Sequence, residues 1–289
     1  QGHKAEQAFK KVLVSGNTKQ KINASYTLSM LYLRHHVDDD RDIEKGKNYL
    51  NQGLSIIEAA EEPYLFDKVF NRNGYALFLY KSKKVDEAIN LLQWGINILN
   101  GLPEHSSAPL HLSVLLYNVF QCYKYQGKVQ DALEAIDNVL IIDPKFEPYL
   151  LEKATLLIQS GNYEESLEIC RSVLELDELN ATACSLMGYN YAHLRHFDQA
   201  LYYYKQSVLF DLHNQKNFED YLLLASQLGA YTEIVALFKE EHLQEQFYSN
   251  SKTIKIIVEA LVHKQENQLI RRLKNELQQK GVQLMISNE

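Results

Sequence analysis

Titratable residues crowd most densely in RHHVDDDRDIEKG, residues 34 to 46, where His35, His36 and a run of three aspartates invite a cation site. Zinc needs ligands converging from fixed spacings, and calcium needs alternating oxygen ligands around a glycine turn. Neither spacing is present, so the stretch reads as a loop between paired helices, with Asp40 or Asp42 capping the second. His193 and His196, in HLRH, read as a surface turn. Cys122, Cys170 and Cys184 show no metal-type pairing and lie in apolar helical patterns, as small buried hydrophobes in a reducing compartment do. The carboxylate pairs Glu164/Glu165 and Glu240/Glu241 fall at helix starts or ends, where they suit the helix dipole or solubilise. No nucleophile elbow, phosphate-cradling glycine loop or metalloprotease helix appears. Asn23-Ala-Ser and Asn180-Ala-Thr match the glycosylation sequon and, without a secretion signal, read as chance. The residues thus predict no catalytic centre, no metal and no cofactor.

What remains is the scaffold. At 289 residues the chain exceeds most single cores, so two domains or one elongated repeat array are expected. With 46% hydrophobic and 23% charged residues it is ordinary folded protein rather than disordered. Five prolines and 12 glycines are few for an all-β protein built on tight turns. A net charge of -7 argues against a protein that grips phosphate backbones, so no nucleic-acid partner is expected. No apolar run approaches the roughly 20 residues of a membrane helix, so no membrane insertion is expected either. No signal peptide is read, and a cytoplasmic location is the expectation. The opening QGHKAEQAFKKVL reads as a helix already under way, consistent with a fragment of a longer protein.

The clearest signal is internal repetition. Ala132 in VQDALEAIDNVLIIDP corresponds to Ser166 in YEESLEICRSVLELDELN, Ala200 in FDQALYYYKQSVLFDLHN and Ile234 in YTEIVALFKEEH, at successive intervals of 34 residues. Upstream, Ala88, Gly46 and Ala5 occupy the same role at wider intervals of 44, 42 and 41. Each unit has an apolar first helix, a short turn with Gly127, Gly161 or Gly229 in its middle, and a second helix carrying the small residue. A large residue follows four positions later: Ile136, Cys170, Tyr204 or Phe238. Apolar residues at helical spacing on both members mean that each helix buries one stripe. The small residue lets the two backbones approach closely.

The pattern resembles the tetratricopeptide repeat family over residues 5 to about 240, most specifically over 113 to 214. There the family's features stand as Leu116, Tyr123, Gly127, Ala132 and Pro144, then Ala154, Leu157, Gly161 and Tyr163, then Gly188, Tyr191, Phe197 and Ala200. Phe120 stands where the family prefers Gly or Ala, Ser166 and Ile234 replace Ala, and Glu178 and Leu212 replace the closing proline. The wider upstream spacing is similar to the extended repeats of kinesin light chains and of peptide-sensing regulators. The resemblance implies an all-α fold, a right-handed α-solenoid of antiparallel helix pairs with longer helices in its N-terminal half. Residues 1–240 would form about six to seven repeats, the first incomplete. Residues 241–289 would form C-terminal capping helices, SKTIKIIVEALVHKQ and ENQLIRRLKNELQQKGV, with ISNE frayed at the end.

By the family's geometry the concave surface is reached by residues fifteen, eleven and eight before each small residue. These are Asn73, Leu77 and Tyr80; Tyr117, Gln121 and Lys124; Leu151, Thr155 and Ile158; Ser185, Tyr189 and Ala192. Asn118, one step along, matches the asparagine of the light-chain pattern. A groove of amides and aromatics suits an extended or helical peptide. Chaperone-binding members carry a Lys/Asn clamp at the first two of these positions, but the pairs here lack the lysine, so a chaperone co-factor role is disfavoured. The implied function is a non-enzymatic scaffold that recruits a protein or peptide through the groove. The alternatives are a peptide-responsive regulatory sensor, or the substrate-recruiting segment of a larger enzyme.

Overall fold

Apolar residues at helical spacing, punctuated by short turns, fold into helices, and within each of two units these pack against their neighbours in chain order, antiparallel because three or four residues connect most of them. The computed structural model describes residues 2–35, 42–61, 64–102, 107–240, 247–248 and 250–279. Among them are fifteen α-helices and no strand. No helix among them is long and apolar enough to cross a membrane.

The chain divides into two compact units, residues 1–149 and 150–289. The first holds α1 (Gly2–Ser15), α2 (Thr18–Met30), a π-helical turn that continues it (Leu31–His35), α3 (Ile43–Glu58), α4 (Leu65–Lys81), α5 (Val85–Asn100), α6 (Ala108–Tyr125) and α7 (Val129–Ile142). Helix α8 (Glu147–Gln159) begins at the boundary. The second unit continues with α9 (Tyr163–Leu176), α10 (Ala181–His193), α11 (Phe197–Phe210), α12 (Gln215–Gln227), α13 (Tyr231–Phe238), α14 (Ser251–His263) and α15 (Asn267–Gln279). Helices α3 to α6 run 16 to 18 residues, whereas α7 to α12 run 13 or 14. The wider upstream repeats therefore do lengthen their helices.

One side-chain position explains how closely the pairs pack. Ala88, Ala132, Ser166, Ala200 and Ile234 are all fully buried. A Cβ on Gly46 would stand 2.8 Å from Leu33 Cγ, so glycine is required at that contact. Ser166 replaces alanine by giving its hydroxyl a partner: it donates to the Ala154 carbonyl at 3.0 Å and accepts from Asn190 Nδ2 at 2.8 Å. Asp42 caps α3 by accepting from the Lys45 amide at 2.9 Å. Residues 36–41, including His36 and Asp40, lie outside the described residues, as do Glu241 and the terminal ISNE.

The turns share one backbone solution. Gly127, Gly161 and Gly229 adopt left-handed φ of 69°, 79° and 68°. The residue after each donates its amide five residues back, as Lys128 does to the Tyr123 carbonyl at 3.0 Å. Lys83, Arg195 and Gln265 take the same conformation without being glycine, at φ of 62°, 62° and 55°, and close the same bond. The left-handed region costs an L-residue about 1–2 kcal/mol. Arg195→Gly is therefore expected to raise the unfolding free energy measured in urea by about 1 kcal/mol, and Gly161→Ala to lower it by a similar amount. Gln265 also shows that α14 and α15 form a pair of the same geometry. They add Ile254, Ile257, Leu261, Leu273 and Leu277 to the core of the second unit.

Candidate functional site

In the first unit the first helices of three successive pairs stand side by side, α2 against α4 and α4 against α6. Gly74 permits the first of these approaches: a Cβ there would lie 2.9 Å from both the Tyr26 ring and Leu50 Cδ2. Between these helices opens a cavity of about 290 Å³. Helix α4 contributes Ala76, Leu77 and Tyr80, and Leu92 of α5 also lines it. Helix α6 contributes Tyr117, Asn118, Gln121 and Cys122. Arg34, at the end of the π-helical turn, completes the wall.

The walls are held from behind. Asn118 Nδ2 donates to Asn73 Oδ1 at 2.8 Å, which ties α6 to α4 and orients the Asn118 amide. The Tyr117 ring lies 5.3 Å from Phe120 and 4.9 Å from Tyr149, so its pose is fixed by packing. Tyr80 meets Tyr125 edge-on at 5.3 Å, and burial pushes its phenol above the usual value. Burial also raises the Cys122 thiol to about 11.

Five of the ten residues expected in the groove, Leu77, Tyr80, Tyr117, Asn118 and Gln121, thus share one cavity. Asn73 sits behind them, beside a small hollow with Phe66, Phe70 and His111. Lys124 is not in the wall; its Nζ lies 5.8 Å from the Phe120 ring. Thr155, Ser185 and Tyr189 belong to the second unit. There Thr155 donates its hydroxyl to the Leu151 carbonyl at 2.8 Å, Ser185 is half-buried, and Tyr189 is 40% exposed against the His193 ring.

Sequence counting misses Arg34, because eleven residues back from Gly46 falls on His35. The burial pattern corrects the register. Leu33, Ala76 and Phe120 are all buried, and the residue after each, Arg34, Leu77 and Gln121, lines the cavity. The hydrophobic LYL immediately before Arg34 is the signal that could have set this register.

None of the cysteines is an activated nucleophile. All three cysteines are free and buried, and burial holds the Cys170 and Cys184 thiols at about 12 and about 11. Thiols so far above neutral pH stay protonated. A disulfide reagent at pH 7.5 is expected to leave all three unreacted in the native protein and to modify all three after denaturation. Rapid native labelling of Cys122 would show that the cavity opens down to the thiol. Among the described residues no three His, Cys, Asp or Glu side chains are grouped as a metal site requires.

No family model matches the chain. The human tetratricopeptide repeat protein 21A is 24% identical over 144 residues, 50% of this chain and 10% of that protein. The curated relatives it matches are much longer, the match spanning between 10% and 17% of their length. Among solved structures, YrrB, a tetratricopeptide-repeat protein described as having an unusual peptide-binding site, aligns over 74% of this chain and 97% of its own, with a TM-score of 0.52 at 15% identity. The repeats of a putative kinesin light chain from Podosopora anserina align over 66% of this chain and 94% of theirs, with a TM-score of 0.53 at 16% identity. In repeat interval, turn geometry and backbone alignment, the chain has the tetratricopeptide-repeat fold.

Proposed function

We propose that the chain is a non-enzymatic binding module that holds a peptide segment of a partner protein, with the cavity of the first unit as its anchor pocket. The observation that carries this is the convergence of Leu77, Tyr80, Tyr117, Asn118 and Gln121 on one cavity. At about 290 Å³ it lies just below the range for drug-sized ligands and suits one large side chain. Its apolar floor would desolvate that anchor, and the Asn118 and Gln121 amides offer donors and acceptors to a passing main chain. That YrrB has a peptide-binding site supports such use of the fold. The length of the curated relatives supports a second reading, in which this chain is the recruiting segment of a longer protein.

Selection of phage-displayed 12-residue peptides on the chain, followed by calorimetry of the selected peptides, tests the proposal. Tyr117→Ala is expected to lose the peptides while keeping its helicity. Loss on Tyr189→Ala instead would move the anchor to the second unit. Retention by both variants would reject the groove.

A further inference from the structure

At the face position that is Leu77 on α4 and Gln121 on α6, the π-helical turn carries Arg34. π-Helical turns of this kind recur at functional sites because they re-aim a side chain. Arg34 is exposed, pairs with no carboxylate among the described residues, and acts on the half-buried Tyr26 phenol, which its charge pulls down against the upward push of burial. Among the described residues no acidic side chain lines the cavity. A cation therefore stands beside an apolar pocket in a chain whose net charge is -7.

We infer that Arg34 makes the cavity selective for an internal peptide segment in which a large apolar residue stands beside an Asp or Glu. The apolar side chain enters the cavity, and the neighbouring carboxylate takes the guanidinium, which matches it as a two-pronged donor. An internal acid fits better than a terminal carboxylate for a geometric reason. Helix α4 lies between Arg34 and the amides of Asn118 and Gln121, and packed helix axes stand about 8–10 Å apart. A main chain held at the amides reaches Arg34 only through a side chain, whereas a carboxylate on the anchor residue's own Cα stays at the amides.

This rests on the groove reading, and its test separates the two. Random 12-residue peptides are selected from two phage libraries, one with the peptide fused at its C-terminus and one with a free C-terminal carboxylate. The expected result is enrichment, in the fused library, of peptides with Asp or Glu within three positions of Leu, Met or Phe. Arg34→Gln should then bind a selected peptide about tenfold more weakly, and changing that peptide's acid to its amide should cost the wild type tenfold but the variant nothing. Added salt should weaken only the wild-type pairing. Equal binding by wild type and Arg34→Gln, or enrichment confined to free C-termini, would overturn the inference and leave the groove reading standing. Peptides held equally by Tyr117→Ala and Tyr189→Ala, or no enrichment from either library, would overturn both.

Discussion

Phe120→Ala is expected to cost the first unit about 3–5 kcal/mol, the cost of emptying a fully buried aromatic site. The repeat pattern alone points the other way. The family prefers Gly or Ala at this position, where Ala154 and Gly188 stand in the next two repeats, so the substitution would pass as a return to consensus. In the structure the Phe120 side chain is 0% exposed and among the largest that are fully buried. Its ring also backs Tyr117 at 5.3 Å, so the cavity left by truncation opens beneath the binding wall. Urea unfolding should show a lowered midpoint. Peptide affinity measured well below that midpoint should fall as well, because Tyr117 loses the ring that backs it. A neutral or stabilising effect would mean that the neighbouring helices collapse onto alanine as they do in the other repeats.

Phe120 marks where sequence reading stops. The 34-residue interval, the glycine turns and the small contact residue are legible because each has a single steric cause repeated in register. Arg195, Lys83 and Gln265 hide the same turn, since nothing in an arginine, lysine or glutamine announces a left-handed φ. Gln265 for that reason conceals the repeat-like pairing of α14 with α15, which otherwise reads as a polar cap. Five groove residues come together because the spacing on α4 and α6 is regular. Arg34 escapes because the connection after it shifts the count by one, and only the burial of Leu33 restores it. The cavity itself has no sequence signature. Its volume is a difference between side-chain sizes on four helices, and no single position encodes it.

Leu77→Glu is expected to weaken binding of an acidic, apolar-anchored peptide about 100-fold or more. Two independent losses combine. The apolar contact of Leu77 with the anchor is removed, and the new carboxylate, lining the same cavity as Arg34, takes the guanidinium that the ligand needs. Each loss is of hot-spot size, about 1.5–2 kcal/mol, and tenfold in affinity corresponds to 1.4 kcal/mol. Folding should change little, because Leu77 is only half-buried and the new charge has a partner. Leu77→Gln separates the two contributions, since it removes the apolar contact but leaves Arg34 to the ligand, and about tenfold of the loss should return. Adding Arg34→Gln to Leu77→Glu should weaken binding no further, because the guanidinium is already occupied. Calorimetry on the three variants measures all of this. If Leu77→Glu and Leu77→Gln bind alike, the new carboxylate does not take the guanidinium from the ligand, and only the apolar contact is lost.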